Sequence, residues 1–335
     1  MTCMRLRQPA SIDNLYRDDS APADPGPGEI QVRIRAAALN FRDALVVGGV
    51  FPARDGLIPL SDAAGEVVAV GAGVSEFVAG DRAVSLFHPN WRDGHIERAE
   101  LNNTPGGPAD GFACDVAVRP ASHFTHAPQS LNDREAATLT CAGVTAWRAL
   151  IADGRVMPGA NVLIQGTGGV SLFALQLAKA AGARVIALSS SADKLERLRA
   201  LGADDLINYR DTPQWGQAVL DLTGGLGADH VIEVAGPHTI GQSFLATRTG
   251  GHIAIIGAVG GFDIDTLPFA LGQATRLQLH AVTVGSRRDQ LDLVRAVDRL
   301  GIKPVIDSAY PLGDLGEAFV RLKQGGHFGK ICIEM

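Results

Sequence analysis

The run Val162-Leu163-Ile164-Gln165-Gly166-Thr167-Gly168-Gly169-Val170-Ser171 is the part of this chain whose order most directly dictates a chemistry. A short apolar stretch ends in a glycine turn, and Val170, Phe173, Ala174, Leu177 and Ala178 follow at helical spacing. Gly166 makes the tight turn, and Gly168 lets the backbone approach a phosphate. The helix start supplies free N–H groups at the positive end of its dipole. Such a turn suits the pyrophosphate of a dinucleotide, and a nicotinamide dinucleotide limits the chemistry to hydride transfer. One position departs from the glycine pattern. Ser171 stands where Gly or Ala is usual, and serine is small enough for close helix–strand packing.

The elements around the turn complete a βαβ unit. Asn161–Gln165 reads as a buried parallel strand, Gly169–Ala181 as a helix closed by Gly182, and Arg184–Leu188 as the next strand. Alternation continues through 192–201, 205–208, 213–222, 229–233, 238–246 and 252–256, which predicts a parallel sheet with helices on both faces. Gln278–Val284 is a further strand at the sheet edge. Exposed edges are usually paired or covered, so a homodimer joined through 278–284 is expected. Arg288–Leu300 reads as an amphipathic helix and Ile331–Glu334 as a closing strand.

The first third is different. Pro22–Gly28 is a turn-rich break, and Glu29–Ala38 alternates polar and apolar like a half-solvated strand. Gly65–Val70 and Arg82–Leu86 are two more β runs linked by glycine turns. Pro89–Gly111, polar and rich in Gly, Pro and Asn, reads as a long surface loop. Leu131–Ala152 is helical, with Ser130 or Asn132 as cap and Glu135 in the first turn.

Composition sets outer limits. The 335 residues suit two domains, and 46% hydrophobic with 20% charged residues suits a globular chain with a sizeable core. A net charge of −6 speaks against nucleic acid and anionic membranes as partners. No apolar run reaches membrane-spanning length and Met1–Pro9 lacks a signal-peptide core, so a cytoplasmic protein acting on a small molecule is expected. Cys3, Cys114, Cys141 and Cys332 are scattered, without a CxxC pair, and read as small buried hydrophobes.

Several segments together resemble the medium-chain dehydrogenase/reductase superfamily. They are Leu39-Asn40-Phe41-Arg42-Asp43, the pair Gly65–Gly71 (GEVVAVG) and Gly80–Val84 (GDRAV), the glycine turn, and Gly329-Lys330-Ile331. The LNFRD segment resembles the zinc-independent branch, which includes quinone oxidoreductase-like proteins and polyketide synthase enoyl reductase domains. The resemblance implies an α/β protein with a GroES-like β-rich substrate domain and a Rossmann doubly wound parallel sheet. The substrate domain would be 1–126 and 287–335, with the dinucleotide domain, 127–286, inserted between. In zinc-dependent members a Cys lies near the position of Asn40, and Gly-His-Glu in the segment matching Leu60–Gly65. Here that segment is Leu-Ser-Asp-Ala-Ala-Gly, and no zinc is expected.

The second Rossmann strand ends Ser189-Ser190-Ser191-Ala192-Asp193-Lys194, with no acid at its tip to hold a ribose 2′-hydroxyl. Ser189, Ser190, Lys194 and Tyr209 resemble the phosphate pocket of NADPH-dependent relatives, so NADP(H) is expected over NADH, with Asp193 as the counter-argument. Gly166, Thr167, Gly168, Gly169 and Val170 would cradle the pyrophosphate. The strand ends at Ala235-Gly236-Pro237 and Gly257-Ala258-Val259 would line the nicotinamide side. Thr145 and the Phe328-Gly329-Lys330 turn match family positions near the nicotinamide.

Without a metal, a hydrogen-bond donor must polarise the substrate. Asn40 is the first candidate through its amide, with Asp43 orienting Asn40 or Arg42. Leu45 stands where many quinone-reductase relatives carry a Tyr, which leaves His88, His95 or solvent as proton source. Trp91 and Phe51 are equally pocket walls or loop anchors. An enone, quinone or enal accepts hydride more readily than an unactivated carbonyl, so reduction of an activated C=C bond or a quinone is expected. The alternatives are an alcohol dehydrogenase or carbonyl reductase, an enoyl-thioester reductase served by Arg92, Arg98, Arg287 and Arg288, and a non-catalytic NADPH-binding protein.

Overall fold

The computed structural model describes residues 1–257, 259–261 and 267–335. The chain forms two compact units, residues 1–144 with 284–335, and residues 145–283. In chain order, the first unit begins with β1 (Thr2–Leu6), β2 (Leu15–Asp19), β3 (Glu29–Ala38), α1 (Phe41–Val47), β4 (Asp62–Val70), β5 (Arg82–Ser85), β6 (Val116–Pro120), β7 (Phe124–His126) and α2 (Asp133–Ala137). After α2 come α3 (Val144–Trp147), β8 (Asn161–Gln165), α4 (Gly169–Ala180), β9 (Arg184–Ser189), α5 (Ala192–Ala200), β10 (Asp205–Asn208), α6 (Trp215–Leu222), β11 (Ala228–Glu233), α7 (Ile240–Ala246), β12 (Thr247–Ile255), α8 (Phe269–Ala274) and β13 (Gln278–Ala281). Then α9 (Arg287–Leu300), β14 (Ile306–Pro311), α10 (Leu315–Gln324) and β15 (Lys330–Glu334) return to the first unit.

The first unit is β-rich. Its main sheet runs β14-β15-β3-β4-β5-β7, with β6 also on β3, and β1–β2 form a separate antiparallel pair. Alternating residues of β3 (Ile30, Val32, Ile34) meet Val67, Phe77, Phe112, Phe124, Phe319, Ile331 and Ile333 in one core. The alternation of Glu29–Ala38 thus does what its period requires. The second unit is a six-stranded sheet in the order β10-β9-β8-β11-β12-β13, and every pairing is parallel. Leu163, Ile186, Val231 and Ile253 are buried on one face against Trp215, Val219 and Phe244. The α/β class, the β-rich unit and the parallel sheet match the expectation from the sequence.

Four details differ. The contacts divide the chain at Val144 rather than at 126, because α2 packs on β3 and β4 of the first unit. The single helix expected over Leu131–Ala152 is interrupted by π turns at Leu139–Gly143 and Arg148–Ala152, where Gly143 N reaches Thr138 O and Asp153 N reaches Arg148 O, each five residues back. Hydrophobic period alone does not reveal such turns. The loop 89–111 is not simply a surface segment. Trp91 is buried, with Nε1 donating to Gly94 O, and Gly106 and Gly111 press against the backbone of Leu60. Finally, β13 is shorter than 278–284: its four residues are all exposed at the end of the sheet, whereas Val282 and Val284 are buried.

Candidate active site

Strand register decides what surrounds Asn40. β15 pairs with β3 through Cys332↔Ala38, Ile333↔Ala37 and Glu334↔Ala36, so two residues further on Lys330 falls opposite Asn40. β4 pairs with β3 on its other side and begins at Asp62↔Ala38. Three strand ends therefore meet where α1 starts. Asn40 is the N-cap of α1 in extended conformation, and its backbone N donates to Asp43 Oδ2 at 2.8 Å. That capping bond is what Asp43 does for Asn40.

The Lys330 ammonium donates to Leu39 O and to Asn40 Oδ1, both at 2.5 Å, and lies 3.7 Å from Asp62 Oδ2. Asn40 Nδ2 donates to Ser61 Oγ at 3.2 Å. The Ser61 hydroxyl has Asp62 Oδ1 at 3.1 Å and Asp43 Oδ1 at 3.4 Å, and its one proton serves either. Asn40, Lys330 and Asp62 are only 8%, 5% and 0% exposed. Burial pushes the Asp43 carboxyl up to about 6 against the opposing charge of Arg42, whose Nη1 is 3.5 Å away. Burial also raises Asp62, opposed by the charge of Lys330. Among the described residues Asp62 Oδ2 has no hydrogen-bond partner.

The turn before Asp62 is held from behind. Leu60 is buried with φ 73°, a left-handed conformation costly for a branched side chain. Phe112 N donates to Leu60 O and Ser85 Oγ to Ser61 O, which fixes the strained turn. His88 lies buried between Phe87 and Trp91, with Nδ1 3.3 Å from Thr104 Oγ1, and His95 is exposed. Phe51 is half-buried.

In the second unit β8 runs into Gly166, whose φ of 70° needs glycine, and Gly168 caps α4 without a side chain. A Cβ on either glycine would meet nothing within 4 Å among the described residues, which leave the space over the turn open. Ser171 is buried and its hydroxyl donates to Gln165 O at 2.7 Å, tying helix to strand. Thr167 is buried, and Gly169 and Val170 are half-buried. At the end of β9, Asn208↔Ser189 pairing and the Tyr209 N to Ser189 O bond of 3.1 Å bring Ser189, Ser190 and Tyr209 together. Ser191 Oγ accepts from Lys194 N at 3.4 Å and starts α5 there.

One residue of this region escaped the sequence reading. Glu233, wholly buried at the end of β11, takes Gln165 Nε2 (2.8 Å), Ser243 Oγ (2.5 Å), Ala235 N (3.0 Å), Gly236 N (2.9 Å) and Thr239 Oγ1 (2.7 Å). It thereby holds the turn that carries Gly236. An acid closing the apolar run of β11 is a visible signal, because a buried carboxylate requires such partners. Gly257 approaches β11 closely, where a Cβ would stand 1.9 Å from Val234 O, and Val259 is exposed. Ala258 lies outside the described residues.

Thr145 is buried at the start of the second unit. Phe328, Gly329 and Lys330 belong to the first unit. Phe328 is buried with its N on Asp307 Oδ1 at 2.8 Å, and Gly329 (φ 99°) passes against Val305 O. Lys330, expected beside a nicotinamide, turns its ammonium onto Asn40.

Residues 26–129 match the family described as "Alcohol dehydrogenase GroES-like domain" and residues 169–309 that described as "Zinc-binding dehydrogenase". A zinc-type alcohol dehydrogenase-like protein of Schizosaccharomyces pombe is 40% identical, over 97% of this chain and 96% of its own. Among solved structures, an NAD-dependent alcohol dehydrogenase is 35% identical with a TM-score of 0.92, covering all of both chains. A quinone oxidoreductase of Pseudomonas syringae pv. tomato is 25% identical with a TM-score of 0.83, covering 100% of this chain and 99% of its own. The chain belongs to the medium-chain dehydrogenase/reductase superfamily, a family of oxidoreductases. The family description names zinc, and the donors near Asn40 do not suit it. Asn40 and Ser61 offer neither thiolate nor imidazole, a buried ammonium contributes a positive charge beside Asp62, and burial pushes the Cys141 thiol near Asp62 up, away from the thiolate form that zinc takes. Among the described residues no three His, Cys, Asp or Glu side chains converge as a ligand set.

Proposed function

We propose that this chain is a zinc-independent, NADPH-dependent reductase of quinones or of activated C=C bonds such as enones and enals. The observation that carries the reading is the buried Asn40 amide, fixed between the Lys330 ammonium and the Ser61 hydroxyl at the start of α1. The glycine turn at 166–168, with open space above it and a helix start beneath, is a seat for a pyrophosphate. Bound there, the nicotinamide supplies a hydride. Ser189, Ser190 and Tyr209 at the tips of β9 and β10, with Lys194 from the first turn of α5, take the 2′-phosphate, and the acid in this stretch, Asp193, is exposed in that same turn. Asn40 donates an amide N–H to the substrate oxygen as negative charge builds on it. A conjugated acceptor spreads that charge, so a neutral donor suffices. The name of the Pseudomonas syringae relative supports a quinone as acceptor.

The test follows NADPH oxidation with a quinone, an enone and a simple aldehyde, each with and without chelator. Chelator-insensitive turnover of quinone or enone is expected. A second reading, alcohol oxidation with NAD and zinc, is favoured by the name of the 35% identical structure. Turnover of an alcohol or aldehyde that a chelator abolishes would establish that reading and overturn ours. Lys194→Ala is expected to weaken NADPH about tenfold and leave NADH unchanged, since only the former carries the 2′-phosphate.

A further inference from the structure

We propose that Lys330, with Asp62 as its counter-ion, is the internal cation that orients and polarises Asn40 for the reaction. The inference rests on the reductase reading above and adds to it the source of positive charge. An ammonium has three donors and no acceptor, so it can donate only to the oxygen end of the Asn40 amide. Oδ1 is therefore turned to Lys330 and Nδ2 to Ser61 on the side of Asp62, and an Nδ2 N–H would pass to a substrate oxygen when one binds. Drawing electron density toward Oδ1 makes that N–H a stronger donor. Leu39 O holds the ammonium from a second side.

Asp62 makes the arrangement tolerable. A buried, unpaired ammonium would be expelled or neutralised. Asp62, wholly buried, offers Oδ2 at 3.7 Å, and among the described residues that oxygen accepts no hydrogen bond. The carboxylate is thus near enough to balance the charge yet does not capture it, and the hydrogen bonds of Lys330 go to Leu39 O and Asn40 Oδ1. Lys330 is a positioning residue: it acts through Asn40 and gives up no proton.

Three variants and two readouts test this. Lys330→Met, which removes charge and donor, is expected to lower kcat on the order of 100-fold with KM little changed, as for loss of an oxyanion donor. Lys330→Arg, which keeps the charge but is a poor acid, is expected to recover part of that loss. Because Lys330→Met strands Asp62, the double variant Lys330→Met/Asp62→Asn removes both charges and is expected to fold but remain slow. The independent readout is the side-chain amide pair of Asn40 in a 1H–15N spectrum, assigned by its absence in Asn40→Ser. That pair is expected to move in Lys330→Met and to stay near its wild-type position in Lys330→Arg. Wild-type kcat in the double variant, or an Asn40 amide unmoved by Lys330→Met, overturns the inference. A wild-type enzyme silent toward every quinone and enone overturns the reductase reading instead, and the amide signals still decide whether Lys330 holds Asn40.

Discussion

At the scale of single residues, the cluster around Asn40 ties acid–base behaviour to folding. The folded Asp43 carboxyl titrates near 6, above its ordinary 3.8, because it is buried. Over that window the native chain keeps a proton that the unfolded chain has released. Its contribution to stability is therefore complete below about pH 4 and is lost as pH rises through about 6. Asp43→Asn abolishes this titration, so urea midpoints at about pH 4 and 7 should differ less in the variant than in the wild type. Equal pH slopes in the two proteins would refute the assignment. Of this cluster, Asn40 and Asp43 were legible because they sit in one recognisable segment. Asp62 was in view only as the absence of a Gly-His-Glu triplet. The meeting of Lys330 with Asn40 was invisible, because strand register and not spacing brings together residues 290 positions apart.

At the scale of elements, two glycines separate binding from folding. Gly168 has φ −75°, which alanine adopts freely, and a Cβ there would project into open space. Gly168→Ala should keep the wild-type Tm yet lower NADPH affinity about tenfold, equivalent to roughly 1.4 kcal/mol of hindered phosphate approach. Gly111 is the opposite case. A Cβ would stand 2.0 Å from Leu60 O and 2.5 Å from Pro59 O, both backbone atoms. Gly111→Ala should cost about 1–3 kcal/mol of stability and disturb Ser61 and Asp62, which follow Leu60 directly. Unchanged urea stability would show that the 105–111 segment does not brace that turn. The βαβ unit was readable because all its signals are local. The strands β1, β2 and β14 and the helices α1 and α10 passed unread: β1 and β2 are placed by pairing with each other and β14 by pairing with β15, which the residue pattern of each segment taken alone does not show.

At the scale of the whole molecule, β13 ends the parallel sheet with all four of its residues exposed. A bare edge of this kind invites pairing with a second copy of the chain. We expect a homodimer by light scattering, and Leu279→Lys, which sets a charge on the edge, should yield a monomer. A wild-type monomer at micromolar concentration would rule this out. The separation of Asn40 from Lys330 has one more consequence, for the order in which the protein forms. The whole second unit lies between them in sequence. Until it is compact, bringing Lys330 back to Asn40 means closing a very long, mobile loop, and the entropy of that closure opposes it. Once residues 145–283 have folded, the length of free chain left to close is much smaller. The charge cluster should thus be among the last parts of the molecule to appear on refolding, and substitutions that weaken only the nucleotide-binding half should delay it.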